Sequence, residues 1–348
     1  MNLTITDPMP TPASSNAPTT PRSFFDRIAR HTLNDPRDTP FLRLIVLLTV
    51  LVLPSAAYLF VPGRFRWYLA VPYLAMLLWF VGPFILMLHN TSHRRLFNRR
   101  FAWMNYYIPW VLGPFFGESP ETYFAHHVGM HHAEANLPAD LSSTMRYDRD
   151  SKRAFAHYLG TFLSVGLFDL YKYFVARKRA TFARRLIIGE LAFYAMVAFA
   201  MFIEWRAALI VLVIPVFFTR AAMMAGNWAQ HAFIDPTGPE SSYKNSITCI
   251  NTVYNRRCFN DGYHIGHHVK QTRHWTEMPE DFLANQETYV AEGAIVFQGI
   301  DFFGIWVLLM LKSYDSLARR FVEIDGAART PEQIKALLRS RTRAIARV

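Results

Sequence analysis

Two stretches near the beginning of the chain go without a single charge: residues 44–62, 19 in a row, and residues 67–88, 22 in a row. A helix rises about 1.5 Å per residue, so the longer run reaches roughly 33 Å, enough to cross a bilayer's hydrocarbon layer of about 30 Å. Both read as membrane spans, at about 43–62 and 67–88. A second pair lies at about 186–203 and 207–226. Glu190 and Arg220 fall inside it. If residue 207 begins the return leg, however, both charges sit within a turn or two of one membrane face, where snorkelling and partial hydration lower their cost. Glu204-Trp205-Arg206 is then a tight link on the opposite side. These runs predict an all-α integral membrane protein with four transmembrane helices in two hairpins and a cytoplasmic helical cap.

Hydrophobic residues make up 52% of the 348 and charged residues only 18%, which is too apolar in places for one or two soluble domains. Basic loops are retained in the cytoplasm, so the placement of Lys and Arg sets the orientation. The expected outer links hold Arg64, Arg66 and Arg206, which is 3 of 37 basic residues. Both termini and the segments joining the hairpins therefore belong on the cytoplasmic side. Topology and anionic headgroups account for the net charge of +11, and no nucleic-acid recognition motif accompanies it. Residues 1–40, which include TPASSNAPTTP, read as a flexible cytoplasmic arm without the apolar run of a cleavable signal peptide. Residues 41–312 form the membrane domain, and 313–348 a basic cytoplasmic tail at the membrane surface. Residues 101–117 and about 289–311 are apolar but interrupted, and read as interfacial or re-entrant helices. Cys249 and Cys258, the only cysteines, are too few for a disulfide framework and lack CxxC spacing.

On this map the 13 histidines are not scattered. HNTSH (His89 to His93) closes the second span, and HHVGMHH (His126 to His132) packs four imidazoles into seven residues. NWAQH (Asn227 to His231) closes the fourth span, and HIGHH (His264 to His268) follows in the loop beyond. At about 100° per residue, positions four apart lie roughly 40° apart, so His89 with His93 and Asn227 with His231 each share a helical face. By the same spacing His264, His267 and His268 fit within about 100° of arc, and His127, His131 and His132 within about 140°. All four groups lie on one side of the membrane and can converge. His126 fits its arc least well and reads as an outer support or surface residue. His31 and His157 fall outside the spacings, and His274 stands as a second outer support. Nine histidines remain, too many for one ion and suited to two with open positions; imidazole serves iron, copper, nickel and zinc alike.

HNTSH, HVGMHH and HIGHH resemble the three histidine boxes, HxxxH, HxxxHH and HxxHH, of the integral-membrane fatty acid desaturase and hydroxylase superfamily. NWAQH resembles its intermediate Asn/His element, and the likeness covers about residues 41–312. The resemblance implies a fatty acyl desaturase with a non-haem di-iron centre that activates O2, taking two electrons from a reductase chain and removing hydrogens from an unactivated acyl chain. It also implies a division of ligands: His89, His93, His127, His132 and His268 on one iron, and His131, His231, His264 and His267 on the other, with Asn227 reaching the latter through a water. No catalytic residue is expected beyond these ligands.

The protein's part in such chemistry is to aim a methylene at the metal and exclude water, with outer groups fixing each imidazole's tautomer. Trp228, Phe233 and Trp275 are candidate walls for an acyl slot, and Arg94 and Arg95 candidate grips for an anionic headgroup or carrier phosphate. Of the nearby acids, Glu134, Asp140, Asp235 and Asp261, the last is the favoured support because it lies three residues before His264. The acyl chain arrives as lipid, acyl-CoA or acyl-carrier protein. With no fused haem, nucleotide or cysteine-cluster motif in the chain, electrons come from an external ferredoxin, rubredoxin or cytochrome type donor with its reductase. A hydroxylase of the same superfamily, acting on an alkyl, sterol or carotenoid substrate, shares every ligand. A histidine-lined metal transporter is the remote alternative, disfavoured because transport sites lie near the bilayer midplane.

Overall fold

The protein is described by a computed structural model over residues 3–9 and 23–345, mostly helical. It divides into two compact units. One combines Thr11–Val128 with Tyr171–Arg220; the other combines Gly129–Leu170 with Ala221–Val348 and the first residues of the chain.

The first unit holds the apolar helices. Thr39–Leu59 packs against Trp67–His93, and their sequences explain both the helices and their setting. Runs of Leu, Val and Ala fill all sides rather than one stripe, and the hydroxyls of Thr49 and Ser55 bond back to the carbonyls of Ile45 and Leu51, which satisfies them within the helix. Only 39% of each apolar window is buried within the protein. Val50, Tyr68, Val71 and Trp79 stay exposed, and an apolar surface of that extent calls for lipid.

Among the described residues, three helical segments are long and apolar enough to cross a membrane: Pro36–Leu59, Trp67–His93 and Ala180–Gln230. The third, 51 residues long, takes in both helices expected at 186–203 and 207–226, with a break between them. The backbone leaves the helical region once inside it, at Glu204 (φ −154°, ψ 95°), within the expected link. There the Glu204 carboxylate accepts from Nε and Nη2 of Arg206 at 2.8 and 2.7 Å. Glu190 and Arg220 meet each other, 3.6 Å apart, with Thr122 donating to Glu190 at 2.7 Å. The loop that brings Thr122 there lies against Gly189, where a Cβ would sit 1.6 Å from the Pro120 carbonyl oxygen.

The second unit departs from an all-α expectation. Strand β1 (Ile247–Ile250) pairs in parallel with β2 (Ile295–Gln298). Every residue of β1 is buried, so its run ITCI carries no alternation to announce a strand. The stretch expected as one interfacial helix at 289–311 is accordingly split among the end of a short helix, β2 and the helix Phe302–Met310. Residues 101–117 form a succession of short 3₁₀ and π turns.

Both expected tails are tied down over the residues described. Within 1–40, Phe24–Thr32 is a helix capped by Ser23, and Asp7 is buried against the second unit's core. At the other end, Pro331–Arg341 is a helix with a Thr330/Gln333 capping box. Its Leu338 is fully buried, and Ile345 donates its N–H to the Met145 carbonyl. Over its described residues, the basic C-terminal segment is thus packed against the second unit. Arg149 fastens it. Fully buried, its guanidinium donates to the carbonyls of Ala232, Thr144, Met145, Tyr147, Arg341 and Arg343. Six carbonyls satisfy a charge that burial has pushed down to about 9.

Candidate metal centre

The three histidine groups that precede or follow a helix end are placed there by local chemistry. His89 and His93 occupy the last turns of Trp67–His93. The polar residues between them do not disturb the apolar helix, because Asn90, Thr91 and Ser92 each bond back to carbonyls of Leu86, Met87 and Leu88. His231 immediately follows Ile214–Gln230, its N–H still bonded to the Asn227 carbonyl. His264–Val269 is a six-residue helix carrying all three histidines of HIGHH.

The crowded heptad behaves differently. His127–His131 forms a π-turn, a wider winding than the 3.6-residue helix assumed from the sequence, and such turns recur at functional sites. It swings neighbouring histidines apart. In the first unit, Nε2 of His127 lies 3.0 Å from Nε2 of His93, with the His89 ring 4.5 Å away by centroid. In the second unit, His132 Nε2 lies 2.9 Å from His267 Nε2.

The second unit also holds a complete four-histidine group. His131, His231, His264 and His268 offer ring nitrogens that all lie within 4.8 Å of one another. Nε2 of His264 stands 3.3 Å from Nε2 of His231 and 3.0 Å from Nε2 of His268. Two of the four are anchored through their outer nitrogens. His131 Nδ1 donates to Asp140 Oδ2 at 2.7 Å, and His231 Nδ1 donates to the Asn245 carbonyl at 2.8 Å. With the proton fixed on Nδ1, each imidazole turns a bare Nε2 lone pair inward. Burial, with help from His131, drives His231 down to about 3, and burial likewise holds His264 well below its usual value. Neutral, converging lone pairs are an unfavourable arrangement among themselves and a favourable one around a cation. Two nitrogens bound at about 2.0–2.1 Å on adjacent corners of an ion stand about 3 Å apart, which is the spacing found. The donor set therefore fits a metal.

Relative to the expected division, His267 and His268 exchange places: His268 joins His131, His231 and His264, while His267 pairs with His132. In HIGHH the two are adjacent, and helical spacing alone cannot say which of two neighbours faces which ion.

Other expected residues find definite posts. Asn227 donates through Nδ2 to the Ser142 carbonyl (3.0 Å) and to Tyr158 Oη (2.7 Å), so only its Oδ1 is left to accept. Trp228 is fully buried, donates to the Arg149 carbonyl and packs on Tyr147, Phe155 and Tyr158 as part of the core, where Phe233 also lies. Trp275 is packed edge-on to Phe259, and His274 caps the next turn by accepting from the Thr276 N–H. Arg94 pairs with Asp35 at 3.3 Å, while Arg95 is exposed. His126 is partly exposed, and Asp235 pairs with Arg341.

Asp261, the favoured acid, accepts from Tyr254 Oη at 2.6 Å. Asp140 is the acid bonded to a cluster histidine. It is positioned in turn by Ser142, whose N–H and hydroxyl donate to Oδ1, and by the Asn136 N–H on Oδ2. Asn136 Nδ2 also donates to Asn245 Oδ1 at 2.7 Å, linking the two anchors of His131 and His231. ANLPADLSST, which begins three residues after the heptad, holds the signal for Asn136, Asp140 and Ser142; sequence reasoning passed over Asn136 and also Asn245, which lies far from that run.

A family model described as fatty acid desaturase matches residues 65–299. No curated protein and no solved structure gives a match.

Proposed function

Because the chain belongs to the fatty acid desaturase family, and so to the oxidoreductases, we propose that it is a membrane-bound, O2-dependent acyl desaturase with a non-haem di-iron centre. The observation that carries this reading is the inward convergence of His131, His231, His264 and His268. These four take one iron, with Asn227 acting on it through a water. The remaining box histidines, His89, His93, His127, His132 and His267, take the other, with His267 in the place that the resemblance gave to His268.

Iron bound there supplies the activation of O2 needed to oxidise an unactivated methylene pair. The chain's residues hold the reaction in place: Asp140 and the Asn245 carbonyl keep protons on Nδ1, and Asn227 Oδ1 accepts a hydrogen bond from the water. Overall, –CH2–CH2– with O2, two electrons and two protons gives –CH=CH– and two waters. The electrons come from an external ferredoxin, rubredoxin or cytochrome type protein, and the acyl chain from lipid, acyl-CoA or acyl-carrier protein. Four crossings, with the helix turning back at Glu204, keep both termini and the histidines at the cytoplasmic face.

Iron analysis and product analysis together test the reading. Purified full-length protein is expected to hold two irons per chain, and with O2 and a reductase system to yield an acyl product lighter by two hydrogens. A product heavier by one oxygen would make it a hydroxylase, and fully active protein with one iron or fewer would overturn the di-iron assignment. His268→Ala is expected to lose one iron.

A further inference from the structure

The helix Phe302–Met310, FFGIWVLLM, lacks any charge. At about 1.5 Å per residue it extends roughly 14 Å, less than half a bilayer core. It is too short to cross, and protein covers only one side of it: Phe302, Ile305 and Leu309 are buried, whereas Phe303 is 58% exposed and the following Leu311 63%. On its outer side opens a recess of about 410 Å³.

The recess has two chemically different walls. Ile300, Val307 and Leu308 form an apolar one, with Gly304 tight against Ile300, whose Cγ1 a Cβ at that glycine would meet at 2.8 Å. Arg319, Arg320 and Ser316 form the other. Arg319 donates to Ser316 Oγ at 3.0 Å and Arg320 to the Gly299 carbonyl at 2.5 Å. Among the described residues neither guanidinium has a carboxylate within 4.0 Å; Asp315, four residues before Arg319, is held by Lys335 at 2.7 Å. Two adjacent cations with no carboxylate bonded to them, facing an apolar wall, match an amphiphilic anion. Arginine suits phosphate because its planar fork bonds two oxygens at once. A free phosphate would leave the apolar wall wet, and a zwitterionic headgroup would bring a third positive charge to the arginines.

We propose that the recess between Phe302–Met310 and Arg319/Arg320 binds one anionic phospholipid of the surrounding bilayer, its phosphate on the arginines and the start of an acyl chain along Ile300, Val307 and Leu308. None of the residues lining the recess belongs to the histidine groups, and lipid binding there does not depend on the reaction assigned to them.

The test uses the full-length protein in nonionic detergent, titrated with a short-chain phosphatidylglycerol. Parallel titrations use phosphatidylcholine of the same chain length, glycerol 3-phosphate and inorganic phosphate, and native mass spectrometry counts bound molecules. One phosphatidylglycerol per chain is expected, preferred over phosphatidylcholine by about 10- to 30-fold, since each basic residue near an anionic lipid contributes a factor of about five. The R319Q/R320Q variant is expected to lose that preference while keeping its melting temperature. Gly304→Leu, which fills the apolar wall, is expected to weaken both lipids. Equal binding of the two lipids, or undiminished phosphatidylglycerol binding in R319Q/R320Q, overturns the proposal. Inorganic phosphate binding as tightly as phosphatidylglycerol also overturns it and leaves a simple anion site.

Discussion

At the scale of single residues, the acid next to a histidine in space matters more than the one next to it in sequence. Asp261 lies three residues before His264, yet Asp140, nine residues after His131, makes the 2.7 Å bond to His131 Nδ1. The loop between them turns back through Asn136, a non-glycine residue with positive φ (59°) that spacing does not disclose. Asp140→Ala is expected to keep the fold but weaken metal binding or turnover by about 10- to 100-fold, the usual cost of losing an outer partner of a ligand. Iron retained at wild-type affinity in that variant would remove Asp140 from the site. Glu118 offers a second residue-level test. Burial raises its carboxyl from 4.5 to about 7, with Arg220 opposing and Glu190 adding to the rise. A pKa raised by folding means that the protonated form is favoured in the native state, so its contribution is complete below 4.5 and is lost as pH climbs through about 7. Melting temperature is expected to fall between pH 5 and 7.5 in the wild type and to fall less in Glu118→Gln, whose amide cannot ionise; identical slopes would exclude Glu118 as the cause.

At the scale of elements, the helices carrying HNTSH and NWAQH were legible because their apolar runs and four-residue spacings obey one regular geometry. The heptad was only partly so, since the π-turn over His127–His131 changes which neighbour each histidine meets. The β1–β2 pair and the N-terminal clasp were not legible, because each depends on partners far away in the chain. Asp7 is the clearest case. Its carboxylate accepts from the N–H groups of Asn251 and Thr252, from Asn255 Nδ2 and from Tyr263 Oη, at 2.7 to 3.1 Å. Tyr263 immediately precedes the helix His264–Val269, so a residue near the start of the chain fixes the entry to HIGHH. Asp7→Ala leaves four donors without this acceptor; at about 1–3 kcal/mol for each buried group left unsatisfied, a loss of several kcal/mol is expected, seen as a lower melting temperature and reduced iron content. Thr6→Val, which removes only an exposed hydroxyl contact to Asn251, is the control. Equal iron and equal melting temperature in Asp7→Ala and Thr6→Val would show that the clasp does not support the site.

At the scale of the whole molecule, charge placement and helix length bear on the same question of how many times the chain crosses the membrane. Among the described residues three segments have the length and apolarity to cross, but Ala180–Gln230 would be about 77 Å long as one straight helix, more than twice the hydrocarbon thickness. Its single non-helical residue, Glu204, sits near its middle and beside Arg206, one of only three basic residues in the expected outer links. A turn there puts 3 of 37 basic residues outside; a straight crossing would instead move the basic residues after Gln230 to the opposite face from those before residue 43, against the retention of positive charge in the cytoplasm. Cysteine labelling decides between them. Cys249 and Cys258 are buried, at 0% and 3% exposure, so the background from native thiols is low. Cysteines introduced one at a time at the exposed positions Pro62, Trp205 and Ala327 are treated with a membrane-impermeant maleimide on intact cells. Pro62→Cys and Trp205→Cys are expected to label directly, and Ala327→Cys only after permeabilisation. Labelling of Ala327→Cys on intact cells, with Pro62→Cys also labelled, would establish an odd number of crossings and place the cap outside, where a cytoplasmic electron donor could not reach it.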